Sequence, residues 1–321
     1  TDQLPSVGPG SFLKDLINSG QVKTTQLNRI FRQAEQSLMV QNSHRIKNGE
    51  MPIFPPKGSQ ADSYQIVKTN NDIDDAVWAE EVIRTMVETH IPKQIKAMHN
   101  IDIDAKHDIQ VLIPMKKGTF GVYEANRLLQ KTFNPNGNSF IANGRVWHLG
   151  DKVIQNTNNY ELEVYNGDIG LVKSFDAIDK TITIDYDDKL VTYDFKLAND
   201  NLAVANAISV HKSQGSEYKV VIVVLLWQHF PMLERNLLYT ANTRAKLMTL
   251  YVVSGGTIKK AIDTNKVKSR NSLLAHRIRR ICRTNNITSG TDNTNDDSKT
   301  SNNPCVSNDG SSTSSRPEAN Y

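Results

Sequence analysis

Two apolar runs, Leu202 to Ala207 and Lys219 to Leu226, flank one polar stretch, Ala207-Ile-Ser-Val-His-Lys-Ser-Gln-Gly-Ser-Glu-Tyr218. Runs this short and this apolar suit strands buried on both faces, and such strands belong to parallel sheets covered by helices. A polar loop between two of them lies at the carboxyl end of the sheet, where open α/β folds bind ligands. This stretch restricts the chain to an α/β architecture and marks where its chemistry should sit.

The rest of the chain divides around it. Ser11 to Ser19 reads as a short capped helix stopped by Gly20, and Thr24 to Arg32 as extended. Gln33 to Lys47 reads as a helix ended by Asn48-Gly49. Asp75 to Thr89 repeats apolar residues with the period of a core-facing helix. Ile109 to Pro114 is expected to be a buried strand, followed by the amphipathic helix Gly121 to Phe133. From Arg145 the pattern becomes short and β-rich: Val146–Ile154, Ile169–Phe175, Thr181–Tyr186 and Leu190–Phe195, with turns at Asn166-Gly167, Asp179-Lys180 and Asp187-Asp188. That block reads as a small β-barrel inserted in the α/β domain, whose sheet is expected to resume at Leu202. Leu237 to Lys246 reads as a helix carrying Arg244.

Of the 321 residues, 38% are hydrophobic, and the mean hydropathy is −0.47. The deficit is concentrated from Thr284 to Tyr321, where Ser, Thr, Asn, Asp and Gly dominate. Such a segment cannot bury enough surface to offset its ordering entropy and is expected to be disordered. The net charge of +4 is too small to indicate nucleic acid by itself. Cys282 and Cys305 make neither a disulfide framework nor a metal site, so no metal ligands are expected from this chain. No signal peptide or membrane-length apolar run occurs. The expectation is a cytoplasmic protein with no membrane partner.

Four segments together resemble the motifs of superfamily 1 DNA helicases in their RecD-like form. They are Thr1-Asp-Gln-Leu-Pro-Ser-Val-Gly-Pro-Gly10, Ile30-Phe-Arg-Gln-Ala34, His211-Lys-Ser-Gln-Gly-Ser-Glu217 and Thr240-Ala-Asn-Thr-Arg-Ala-Lys246. The blocks Gly150 to Tyr160 and Tyr165-Asn-Gly-Asp-Ile-Gly170 are similar to the SH3-like insertion of that family. The resemblance implies an α/β fold with RecA-like parallel sheets of the P-loop NTPase type. The end of a first, incomplete domain would occupy 1–30. A second, complete domain would occupy 31–144 and 201–284, with the SH3-like barrel at 145–200 and a tail at 285–321. The pattern G-x-x-x-x-G-K-[ST] does not occur, the acidic Asp-Glu motif of the family is not found, the first segment lacks its usual leading Gly-Asp, and the chain starts without Met. The expectation is the carboxyl-terminal part of a longer protein.

The resemblance also implies roles. Gln3, Arg32 and Arg244 would be catalytic. Gln3 would sense the γ-phosphate, and the two guanidinium groups would stabilise transferred charge. Gly215 and Glu217 would face the nucleotide, the glycine by allowing close backbone approach and the carboxylate by accepting from a ribose hydroxyl. His211 and Ser213 would contact single-strand phosphates. Lys116 and Lys117, in the loop after Pro114, read either as phosphate contacts or as solvated loop lysines. Lys266 to Arg283 carries seven Lys/Arg around an apolar stripe, either a DNA-facing helix or a packed helix with a solvated basic face. The implied cofactors are ATP and Mg, with the Mg ligands outside this chain. The implied partners are single-stranded DNA and single/double-strand junctions, met during ATP-driven 5′→3′ translocation. Two other readings remain open: the alpha subunit of an exonuclease V complex among nuclease-complex subunits, and a non-enzymatic single-strand-binding protein derived from the motor.

Overall fold

Alternate side chains of Tyr218–Leu225 enter opposite cores. Val221, Val223 and Leu225 go to one, and Val220, Ile222 and Val224 to the other. In this computed structural model the segment is the middle strand of a parallel sheet, and helices cover both faces. The structure describes residues 3–5, 10–25, 37–56, 59–69, 72–187, 189–265 and 272–288. Arg32 and residues 289–321 lie outside the described residues.

In chain order the elements begin with α1 (Phe12–Ser19), α2 (Leu38–Asn48), β1 (Ser63–Lys68), α3 (Asp75–Thr85), α4 (Ile91–His99), α5 (Ala105–Asp108), β2 (Ile109–Ile113) and α6 (Val122–Phe133). The inserted part follows: β3 (Ser139–Ala142), β4 (Arg145–His148), β5 (Lys152–Gln155), β6 (Ile169–Asp176), β7 (Thr181–Asp185), β8 (Leu190–Asp194), α7 (Phe195–Asn201) and β9 (Leu202–Val204). The chain then adds β10 (Ala207–Ser209), β11 (Tyr218–Leu225), α8 (Arg235–Asn242), β12 (Ala245–Ser254), α9 (Thr257–Asp263) and α10 (Leu274–Thr288). The parallel sheet has the order β1-β12-β11-β2-β10. Side chains from α2, α8 and α9 fill the core on one face, and those from α3, α4 and α6 fill the other.

The described chain divides into two units, Thr1–Lys14 with Thr24–Ser272, and Asp15–Lys23 with Leu273–Tyr321. In the smaller unit, Arg279 Nε donates to the Ser19 carbonyl at 3.2 Å, and its Nη2 donates to the Asn18 carbonyl. Among the described residues no helix is long and apolar enough to cross a membrane.

The structure changes several local readings. The helix expected over Asp75 to Thr89 is interrupted by a π-helical turn, Met86–His90, before α4. Pro92 lacks an N–H and its ring crowds the carbonyl four residues back, so the widened turn accommodates it. The parallel sheet resumes at Ala207 rather than Leu202. Leu202–Val204 pairs antiparallel with β5 instead. The antiparallel part also starts earlier than Arg145, with the hairpin β3–β4 turning on Asn143 and Gly144, both at positive φ. α8 ends at Asn242, and Arg244 lies in the turn before β12 rather than on a helix. The pull comes from Ala245–Ser254, which pairs with strands on both sides. α10 runs on to Thr288, past the residue where the tail was expected to begin.

The antiparallel sheet, ordered β8-β7-β6-β5-β9, has its own core around Trp147, Tyr193, Ile182 and Ile184. Phe140 of the hairpin stacks on Phe175 of β6 with ring centroids 4.0 Å apart. Polar groups join this part to the parallel sheet. The Ala205 N–H donates to the Lys152 carbonyl at 2.8 Å, and the Val111 N–H to the Asn206 carbonyl at 3.2 Å. Gln110 Nε2 donates to the carbonyls of Ala205 and Asn206 at 3.0 and 3.1 Å. Lys152, only 2% exposed, donates from Nζ to the Ile109 carbonyl at 2.8 Å and to Gln110 Oε1 at 3.3 Å. Buried Asp151 accepts from Gln130 and Asn134 of the α6 region and from the His148 N–H.

Burial pulls the Lys152 ammonium down to about 7, against the opposing charges of Asp104 and Asp108. Its folded value lies below the unfolded one of 10.5, so between those values the unfolded chain binds the extra proton. The Lys152 contribution therefore makes stability rise with pH across that window, and its penalty is complete below it. Replacing Lys152 by Met removes this dependence. The stability of Lys152→Met relative to the unaltered chain should fall as pH rises from about 7 to about 10, by at most about 1.4 kcal/mol per pH unit. Urea unfolding at several pH values measures it, and a pH-independent difference would show that Lys152 does not titrate differently on folding.

Candidate functional site

β10 ends at Ser209, on the edge of the parallel sheet, and the chain turns through residues 210–216 before returning as β11. The turn holds itself together. The Ser213 N–H reaches the Ser209 carbonyl at 3.2 Å, and the Lys212 N–H reaches the same carbonyl at 2.9 Å. The Ser213 side chain is fully buried and its Oγ donates to the Val210 carbonyl at 2.8 Å, so here the hydroxyl braces the loop and does not face a strand phosphate as expected. Gly215 sits at φ +89°, a left-handed conformation that favours glycine, and a Cβ there would meet no atom within 4 Å. The backbone at Gly215 is therefore open to close approach.

Two distant segments close on this loop. Gln214 Nε2 donates to the Leu4 carbonyl at 2.8 Å, and the Leu4 N–H donates to Thr240 Oγ1 at 2.9 Å. Leu4 is buried in the core beside α8, and Gln3 next to it is exposed. Arg244, 7% exposed, reaches back from the turn after α8. Its Nε donates to the Thr240 carbonyl at 3.1 Å, Nη1 to the Ser216 carbonyl at 3.1 Å and Nη2 to Thr243 Oγ1 at 3.2 Å. The Tyr218 N–H donates to the Arg244 carbonyl at 2.9 Å. Glu217 Oε2 lies 3.5 Å from Lys246 Nζ.

Lys116 and Lys117 are exposed in the loop after β2, the strand beside β10. The Val122 and Tyr123 N–H groups donate to the Met115 and Lys116 carbonyls at 3.0 and 3.2 Å, folding the loop onto the start of α6. A Cβ at Gly121 would come within 2.5 Å of the Lys117 backbone, so only glycine lets the chain pass there. Lys212 completes the basic edge. Its Nζ donates to the Gln155 carbonyl at 3.2 Å and to Asn156 Oδ1, tying the loop to β5. Burial, then the charge of Lys116, lowers its ammonium to about 8.

The structure thus brings together the Gln3 segment, His211 to Glu217 and Arg244, with Lys116 and Lys117 on the neighbouring strand end. Arg32 lies outside the described residues. Sequence reasoning passes over Gln214, Lys212 and Lys246 as individuals. Gln214 and Lys212 stand inside the quoted run, but no pattern announces a bond from Gln214 to Leu4.

Residues 125–186 match the family model of the ATP-dependent RecD-like DNA helicase SH3 domain, and residues 205–253 match the UvrD-like helicase C-terminal domain. Over these residues the chain is similar to RecD-like DNA helicases. The first match covers β3 to β7, and the second covers β10 to β12 with the whole His211–Arg244 network. The ATP-dependent RecD2 DNA helicase of Deinococcus radiodurans is 32% identical over 284 residues, 87% of this chain and 35% of that protein. The RecBCD enzyme subunit RecD of Buchnera aphidicola (subsp. Schizaphis graminum) is 28% identical over 143 residues, 43% of this chain and 23% of its own length. A Pif1 helicase crystal structure from Bacteroides, with ADP-AlF3 and single-stranded DNA, aligns at 16% identity and a TM-score of 0.39. That alignment covers 81% of this chain and 57% of the other. This chain spans about a third or less of the length of these curated relatives.

The Arg244 network generates a prediction of its own. Arg244→Ala leaves the half-buried Ser216 carbonyl without its guanidinium donor and should lower unfolding stability by about 2–3 kcal/mol. Arg244→Lys should recover only part of this, since one ammonium cannot serve acceptors placed for a planar fork. Denaturant unfolding gives the loss, and amide hydrogen exchange should quicken over residues 210–218. A change in stability under about 0.5 kcal/mol would mean the clamp contributes nothing.

Proposed function

We propose that this chain is part of an ATP-dependent DNA helicase that moves 5′→3′ along single-stranded DNA. The observation that carries the reading is the direct hydrogen bonding of Gln214 and Thr240 to the backbone of Leu4. Three segments far apart in sequence, each resembling a helicase motif, are coupled by it, as a motor that links nucleotide state to strand grip requires. ATP with Mg supplies the phosphoryl-transfer chemistry. On this reading Gln3, exposed beside the bonded Leu4, senses the γ-phosphate, and Arg244 and Arg32 stabilise developing charge on equatorial oxygens. Glu217 accepts from a sugar hydroxyl, and the open backbone at Gly215 admits the nucleotide. His211, Lys116 and Lys117 hold strand phosphates, while the buried hydroxyl of Ser213 shapes the loop that presents them.

The donor set fits a polyphosphate in part. Gly215 is open, and the Arg244 guanidinium already turns at least three of its five N–H groups to protein acceptors. A second reading, a subunit of a nuclease complex, is favoured by the RecBCD subunit among its relatives. It shares the same site.

The test has two arms. Because G-x-x-x-x-G-K-[ST] does not occur among its 321 residues, the chain alone should show no ATPase above a vector control, with or without single-stranded DNA. In a longer protein that carries a P-loop, Arg32→Ala or Arg244→Ala should lower kcat by about 10³-fold while sparing ATP-independent strand binding. Turnover by the isolated chain, or wild-type turnover in either folded variant, would refute the assignment. For strand binding, Lys116→Ala/Lys117→Ala should reduce the slope of log affinity against log salt by about 0.7 for each phosphate no longer neutralised. An unchanged slope would make these lysines solvated loop residues.

A further inference from the structure

The segment following the central strand carries a feature that the motor reading leaves unused. After Leu225 the chain makes a 3₁₀ turn, Trp227–Met232, at the carboxyl edge of the sheet. Trp227 is 51% exposed and Phe230 43%. Their rings stack on each other with centroids 5.8 Å apart and planes 23° apart. Lys260 of α9 places Nζ 4.5 Å from the Phe230 ring centroid.

The turn beneath these rings is held firmly. His229 is fully buried. Its Nδ1 accepts from the Leu226 N–H at 3.0 Å, and its Nε2 lies 3.2 Å from the Phe120 carbonyl. Burial depresses its titration to about 4, so near neutral pH the ring is uncharged and Nε2 carries the donated proton. The neighbouring Gln228 accepts from Thr119 Oγ1 at 3.0 Å. That bond ties the turn to the loop carrying Lys116 and Lys117.

Two large rings left about half exposed by a rigid turn forgo much of the gain of burial, and Lys260 stands against them. Aromatic faces beside a basic track form the arrangement that binds unpaired strands, because every base offers a π-face and every nucleotide a charge. We propose that Trp227 and Phe230 form a base-stacking platform for an unpaired DNA strand, with Lys260 and the Lys116–Lys117 loop drawing its phosphates. The proposal rests on the reading that this chain binds single strands, and adds to it a contact made with bases rather than with the backbone.

The experiment uses the full 321-residue chain and two fluorescein-labelled strands of equal length, one oligothymidylate and one abasic. Affinities are read by anisotropy across a salt series. The unaltered chain should bind oligothymidylate about tenfold or more tighter than the abasic strand, with tryptophan fluorescence quenched only by the former. Trp227→Ala/Phe230→Ala should lose that preference while keeping the abasic affinity and the salt slope, and Trp227→Tyr should retain most of it. Circular dichroism reports whether the variants fold, and the comparison of the two strands on the unaltered chain needs no variant. Equal affinity for both strands, or a preference that survives in the folded double variant, overturns the platform and leaves the rings to a protein contact. In that case the single-strand reading still stands. No binding to either strand removes the single-strand reading itself, and the platform with it.

Discussion

β11 is apolar on both faces, and that constraint governs the molecule. A strand whose side chains enter two separate cores cannot sit at a surface, so helices must cover it from both sides and parallel neighbours must flank it. Polar chemistry is then confined to the strand ends. Tyr218 at its start adjoins the Arg244 network, and Leu225 at its end runs into the turn carrying Trp227. The candidate residues occupy those ends because the middle of the sheet has no room for polar groups that lack partners.

The Arg244 network sets a second relation between stability and activity. A guanidinium that donates to the Ser216 carbonyl cannot also donate the same N–H to a phosphate. If Arg244 serves phosphoryl transfer, each of these N–H groups that turns to a phosphate is withdrawn from the turn it now braces. Linkage adds a condition on the two ligands: by whatever factor bound nucleotide changes strand affinity, bound strand changes nucleotide affinity.

The large features are legible because they depend on periodicity. The strand Ile109–Ile113, the helix Val122–Phe133 and the loop between β10 and β11 all lie where the apolar pattern puts them. What escapes depends on contacts between distant residues. Leu202–Val204 has the composition of a core strand, and nothing local says that it pairs with β5 in the antiparallel sheet. Arg244 stands in a segment with helical propensity, but the demand of β12 for two neighbours ends the helix first. Asn143-Gly144 is a readable hairpin signal, but it stands ahead of the β-rich pattern that would draw attention to it. Lys152 looks like an alternating strand residue, yet it is buried and bonded to the next sheet. The side-chain reach of Gln214 to Leu4 has no sequence signature at all.

The polar seam between the inserted sheet and β2 has a mechanical consequence. Hydrophobic contacts allow sliding, since one methyl group replaces another at little change in energy. A seam of directed bonds from Ala205, Asn206, Gln110 and Lys152 permits no such slippage, because any rotation breaks several of them together. Lys212 adds a strut from the loop to β5. Displacing the inserted sheet against β2 would therefore cost the directed bonds of Gln110 and Lys152, and displacing it against the loop would cost those of Lys212. The insertion and that loop are bound to share their position.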